Sequence, residues 1–314
     1  MKIKLVGFWD HNVYTELTLL EYRSMISQTF DFEFYDTHKT YNKQSTVFVC
    51  NAYQYNQHSM LIDGLIADGY RIVFETLQEM QTSSRHTEPN VLHMICNQSV
   101  NPNVNTVEVP LYFWYHERRF GNYESIDRLP NADKKFLLMM NMVKPFRDDI
   151  YNKFTDILEQ GMYSYAGRDI LVEGDNFEAD WWDRYINADW YNRTEFSLVV
   201  ESQMNTNGVF VTEKTMKPIG LQHPFIVLGS PGTLEFLQSA GFVTYDNLFD
   251  ESYDKSPDRL NLIYEQVKNY SLHGYDQLTL EKIKHNYNLF FDNVKLEQSF
   301  KHAIINPILE FVNG

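Results

Sequence analysis

Apolar residues in this chain come in short runs, broken by polar and turn-forming residues. Residues 2–8, 32–35, 46–50, 71–74, 91–96 and 106–109 are rich in β-branched and aromatic side chains and read as strands. Between them, 15–29 carries Leu17, Leu20, Tyr22 and Met25 at helical spacings. A second helical stretch, 59–68, stops at Gly69. Strands alternating with helices predict βαβ units around a parallel sheet.

A polar break at 130–134 precedes a second series. It predicts a strand at 136–141, a helix over 145–160 ended by Gly161, and a strand at 196–200. A helix at 213–221, a strand at 224–228, a helix at 233–240 and a mostly helical tail from Pro257 follow. The stretch 167–191 is polar and Trp-rich. The economical architecture is α/β with two Rossmann-like βαβ domains, 1–130 and 131–314, facing a cleft at the carboxyl ends of their strands. A length of 314 residues suits two domains of about 150 each.

Composition narrows the function classes. Hydrophobic residues are 43% of the chain, enough for two packed cores. A formal charge of −15 argues against an extended basic surface for nucleic acid. The exception is residues 117–147, where Arg118, Arg119, Arg128, Lys134, Lys135, Lys144 and Arg147 outnumber the acids. They form either a local basic cleft or a solvated mixed-charge face. Cys50 and Cys96 each sit in an apolar run and read as buried free thiols of a reducing compartment. The start MKIKLVGFWD reads as a strand, not a leader, and no run reaches the ~18 apolar residues of a membrane span. The expectation is a soluble, cytoplasmic protein.

The segment EFSLVVESQMNTNGVFVTEKTMKPIGLQHPFIVLGSPGTLEFL holds the densest candidate chemistry. A strand delivers Glu201 at its carboxyl end, and a polar loop with Asn205, Asn207 and Gly208 follows. Thr212 then fits the N-cap of a helix whose free amides and dipole favour a diphosphate. Lys214 adds a point charge. Glu201 and Glu213 can accept hydrogen bonds from ribose or sugar hydroxyls. Gly229, in the turn Leu228-Gly229-Ser230-Pro231-Gly232, lets a ligand or a backbone approach closely. The bland alternative is an ordinary βαβ unit with a well-capped helix.

This segment resembles the donor-binding region of the α1,3-fucosyltransferase family. That pattern runs F-x-L-x-x-E-N, a short loop, Y-V-T-E-K, and a V/I-P-I/V-x-x-G turn. Here stand Phe196, Leu198 and Glu201, then Phe210-Val211-Thr212-Glu213-Lys214, then His223-Pro224-Phe225-Ile226-Val227-Leu228-Gly229. Upstream, Asn141-Met142-Val143-Lys144-Pro145-Phe146-Arg147 resembles the family segment with a phosphate-binding arginine, so Arg147 joins the donor set. Val109-Pro110-Leu111-Tyr112 is similar to an R-M-P-L-Y-Y run of bacterial members. The run E-S-Q-M-N-T-N-G also resembles glycosyltransferase-like proteins of large phages and viruses. Two positions depart from the pattern: the Asn of E-N-S is Ser202, and the aromatic before T-E-K is shifted to Phe210.

The resemblance implies a glycosyltransferase of B-type fold, inverting and metal-free, with a nucleoside-diphosphate sugar as co-substrate and no other cofactor. Neither Asp180-Trp-Trp-Asp183 nor the acids of 246–254 offer the Asp-x-Asp pair of metal-dependent sugar transfer. The general base is expected among Glu75, Glu79 and Asp10, which follow strands of the first half. For the acceptor two classes stand: 5-hydroxymethylcytosine in phage DNA, or a glycan; the alternative to an enzyme is a non-catalytic nucleotide-sugar-binding or structural protein. A base extruded from DNA needs an aromatic pocket and a basic rim. Tyr112, Trp114 and Tyr115, with Trp181 and Trp182, would supply the first; Arg118 and Arg119 would begin the second. Core packing is the competing reading of these aromatics.

Overall fold

The computed structural model describes residues 2–8, 26–76, 86–96, 105–109, 111–120, 123, 132–172, 187–204 and 208–314. The chain is an α/β protein with two parallel sheets, of six and four strands among the described residues. It falls into two compact units: Met1–Tyr112 with Asn293–Gly314, and Phe113–Asp292. The expected division at 130/131 assigned 113–130 to the first domain and the C-terminal residues to the second. The compact units group both segments the other way.

In the first unit, β1 (Ile3–Gly7), β2 (Phe30–Phe34), β3 (Thr46–Asn51), β4 (Arg71–Thr76), β5 (Val91–Ile95) and β6 (Thr106–Glu108) pair in the order β2-β1-β3-β4-β5-β6. Every pairing is parallel. The edge strands β2 and β6 are only partly buried, whereas the inner strands read as near-continuous apolar runs because a parallel sheet is covered on both faces. β3 shows this best, with Thr46–Cys50 all buried. Val6, Phe48, Cys50, Ile72 and Phe74 pack with Ile62 and Ile66 of α1 (Ala52–Ala67).

The start of α1 lies seven residues before its expected position, for a local reason. Asn51 and Gln54 form a reciprocal capping box, which satisfies orphan amides in a stretch with little apolar periodicity. A non-helical His58 kinks the helix just before the part that the pattern revealed. Two further helices, Asn293–Phe300 and Asn306–Asn313, belong to this unit.

The second unit begins inside α2 (Tyr112–Phe120). It continues through β7 (Lys134–Met140), α3 (Pro145–Phe154), β8 (Met162–Tyr165), α4 (Ala188–Arg193), β9 (Thr194–Val200), α5 (Glu213–Gly220), β10 (Phe225–Leu228), α6 (Thr233–Ser239), α7 (Arg259–Asn269) and α8 (Gln277–Phe290). The sheet order is β10-β9-β7-β8, again parallel. From β7 the chain runs outward to β8, then returns across β7 to build β9 and β10. The crevice between β7 and β9 is therefore the topological switch point, where ligands of open α/β sheets bind at the carboxyl ends.

β9 is buried along its whole length, as a central strand requires. At its amino end, His223 bonds to the Ser197 hydroxyl at 2.8 Å and the Thr194 carbonyl at 2.9 Å, which ties the β10 lead-in to β9. Cys50 and Cys96 are both buried thiols. Among the described residues no helix is long and apolar enough to cross a membrane.

Candidate functional site

The site candidates of the second unit gather where β7 and β9 end. The ladder runs one residue past β9: Glu201 donates its backbone N–H to Leu228 at 3.0 Å. This draws the Glu201 side chain into the fold, where it is fully buried. Oε1 accepts the Thr212 amide at 3.0 Å and the Thr215 hydroxyl at 2.6 Å; Oε2 accepts the Thr212 hydroxyl at 2.5 Å. Burial raises the Glu201 carboxyl, against the Lys214 charge and these hydrogen bonds. Glu201 is thus a clamp that holds the start of α5 against β9, not an acceptor presented to a ligand.

Thr212 occupies the expected N-cap, and its hydroxyl accepts from the Lys214 amide at 3.3 Å. Beyond the cap, Lys214 Nζ donates to Glu213 Oε1 at 2.5 Å and to the Ser202 hydroxyl at 3.0 Å. From the other side of the crevice, Lys144 Nζ donates to the Ser202 carbonyl, also at 3.0 Å. Two ammonium groups, from the amino ends of α3 and α5, therefore meet on one residue. Burial pushes the Glu213 carboxyl up, but the Lys214 and Lys217 charges and the Lys214 hydrogen bond outweigh it and hold the group at about 2. Glu213 is ionised at neutral pH.

Lys144 is the residue just before α3, whose first residue is Pro145. A proline there wastes no hydrogen bond and presets the helix. Arg147, in the first turn, is 2% exposed and donates to the Met142 carbonyl at 3.0 Å. It braces the β7–α3 turn from inside, while Lys144 and Lys214 stay partly accessible. Gly229 follows β10, and a Cβ there would come within 2.9 Å of the Thr233 hydroxyl and 3.4 Å of Glu201 Cγ. The close approach that Gly229 permits is to the protein itself. Gly232 has φ +87, the left-handed backbone that glycine adopts without strain, and it starts α6.

The described aromatic candidates are core. Tyr112, Trp114 and Tyr115 are all buried, and Trp114 donates its indole N–H to the Phe290 carbonyl at 3.0 Å. Trp114 also meets Phe242 edge-on. Arg118 stacks its guanidinium 4.5 Å over the Phe291 ring. The described cations of that stretch do not converge either; Arg128 lies outside the described residues. Lys134 and Lys135 open β7 and bind the carbonyls of Glu159 and Lys268, whereas Lys144 and Arg147 follow its far end. Seven residues at about 3.3 Å each separate the two groups by about 20 Å.

Among the candidate bases, Glu75 is the fifth residue of β4, in register between Asn51 and Met94, and nearly buried. Asp10, Glu79, the Arg119 side chain, Asn205, Asn207 and the Trp181–Trp182 pair lie outside the described residues, as do Asp180 and Asp183. Two contributors to the crevice were not singled out by the motif. Ser202 stood only as a departure from a pattern, and Lys144 as one cation among many. The signal for both was topology: each is adjacent to a strand end at the switch point. No protein-family model matches the sequence, and no curated protein matches it.

Proposed function

We propose that the crevice between β7 and β9 binds the diphosphate of a nucleotide sugar, and that the chain is a glycosyltransferase. The observation that carries this reading is the meeting of Lys144 and Lys214 on Ser202, at 3.0 Å each, beside the amino ends of α3 and α5. A diphosphate leaving group gathers negative charge as the sugar departs. Two ammonium groups and helix-end amides, fixed before the reaction, stabilise that charge without reorganisation. Lys214, now bonded to Ser202 and Glu213, would turn to the diphosphate, and Glu213 would accept a ribose hydroxyl.

The resemblance to the fucosyltransferase donor segment fits the same place, since Thr212-Glu213-Lys214 is the part that lines the crevice. In this reading the two units form a B-type glycosyltransferase, inverting at the sugar carbon and independent of metal. The acceptor is a hydroxyl. The described cations are scattered and the described aromatics are buried, which favours a glycan over duplex DNA, because extrusion of a base needs a basic rim and an open aromatic pocket.

The test is transfer of labelled sugar from UDP-, GDP- and dTDP-sugars, with EDTA present. Acceptors are simple glycans, unmodified DNA and hydroxymethylcytosine DNA. Labelled glycan is the expected product. Labelling confined to the modified DNA would replace the glycan acceptor, and no donor consumed in any arm would overturn the enzyme reading.

A further inference from the structure

The loop that leaves β9, residues 202–204, is held by cations from three places in the second unit. Lys144, just before α3, and Lys214, in α5, meet on Ser202. Arg259, the first residue of α7, donates through Nη2 to the Met204 carbonyl at 2.5 Å. A loop carbonyl needs one donor, and water or a backbone amide would serve. Burial lowers Arg259 from its ordinary value, against the opposing charge of Asp254, so keeping a guanidinium here carries a desolvation cost. Asp254 itself faces the start of α6, where it accepts the Leu234 amide at 3.2 Å and the amides of Gly232 and Thr233.

Arg259 stands on a fixed base. α7 buries Ile263, Tyr264 and Val267. Tyr264 meets Phe154 of α3 edge-on at 5.4 Å and donates its hydroxyl to Asp156 at 2.8 Å. Lys268, one turn further along α7, pairs with the same carboxylate at 3.2 Å. The helix that carries Arg259 is thereby locked to the helix that begins beside Lys144. Both side chains that grip loop carbonyls, Lys144 on Ser202 and Arg259 on Met204, thus come from one packed pair of helices. Such a pair sets the path of the loop before a ligand arrives.

We propose that Arg259 is a positioning residue of the crevice: by holding the Met204 carbonyl it fixes the loop so that Ser202 stands where Lys144 and Lys214 converge. The inference rests on the crevice being a nucleotide-sugar site. Arg259 acts through the loop, while the ammonium groups of Lys144 and Lys214 carry the charge that meets the diphosphate. Without the Arg259 bond the loop has more backbone states to lose on binding, so donor affinity falls although the ligand's own contacts are kept.

The test is isothermal titration of the wild type, Arg259→Met, Arg259→Lys, Lys144→Met and the Arg259→Met/Lys144→Met double variant with UDP-, GDP- and dTDP-sugars. Arg259→Met should weaken the donor by about tenfold or more, the scale on which misplaced site groups act. Arg259→Lys, which keeps a cationic donor for the carbonyl, should recover most of that loss. In the double variant Arg259→Met should cost less than it does alone, because both residues act on one loop. Wild-type affinity in Arg259→Met, or strictly additive losses in the double variant, overturns the inference and leaves the donor site standing. A loss that Arg259→Lys does not reverse makes the guanidinium a ligand contact and overturns the positioning role. If Arg259→Met fails to fold, Arg259→Gln decides by the same criteria. A wild type that binds no nucleotide sugar overturns the donor reading, and this inference with it.

Discussion

Glu201 and Thr212 are joined twice, through the Thr212 amide at 3.0 Å and its hydroxyl at 2.5 Å, both on one buried carboxylate. The fixed point of the crevice is therefore inside the fold. Glu201→Ala would strand three buried donors: the Thr212 amide and the hydroxyls of Thr212 and Thr215. A loss of about 3 kcal/mol or more is expected, since each hydrogen bond to a charged group is worth about 1.5–3 kcal/mol. Urea unfolding checks this. A variant as stable as the wild type would show that the clamp contributes nothing.

Glu213 and Glu201 should respond to pH in opposite senses. The Glu213 carboxyl is at about 2 in the fold, against 4.5 as its ordinary value. Its ionised form contributes stability that is complete above pH 4.5 and is lost as pH falls toward 2, about 3 kcal/mol in all at 1.36 kcal/mol per unit. The Glu201 carboxyl is raised, chiefly by burial. Its contribution is complete below the unfolded value and is lost as pH rises through the folded one. Glu213→Gln should flatten the acid side of the stability curve, measured by urea unfolding from pH 2 to 6. An unchanged slope would contradict the ion pair with Lys214.

Gly229→Ala should destabilise the protein by about 1–3 kcal/mol, the usual cost of an added methyl group in a packed site. The Thr233 hydroxyl that it would strike is held by the Ser230 carbonyl at 2.6 Å, so it has little room to yield. Thermal unfolding measures the loss. A neutral substitution would mean that the turn opens more easily than its hydrogen bonds imply.

The parallel sheets were legible because buried strands are near-continuous apolar runs, as in β3 and β9. The elements that escaped notice lacked such a run. β8 is only four residues long, α4 lies in a polar stretch, and α2 reads as an aromatic cluster rather than a helix. At the site, Thr212 as a cap and Lys214 beside it could be read from local chemistry. Glu201 could not be separated from a ligand-binding carboxylate, because its burial depends on β10 and on Thr215, which are distant in sequence. The burial of Arg147 was hidden for the same reason: it arises only when the β7–α3 turn closes around the side chain. Ser202 and Lys144 became visible only once strand order put β7 beside β9.

Isothermal titration with UDP-, GDP- and dTDP-sugars tests the central claim most directly, comparing the wild type with Lys144→Met and Lys214→Met. At least one donor should bind the wild type. Both substitutions should weaken it by about 30-fold or more, the scale of about 2–4 kcal/mol for removal of a charge-stabilising donor. Failure of every nucleotide sugar to bind, or binding that neither substitution alters, would contradict a diphosphate site between β7 and β9.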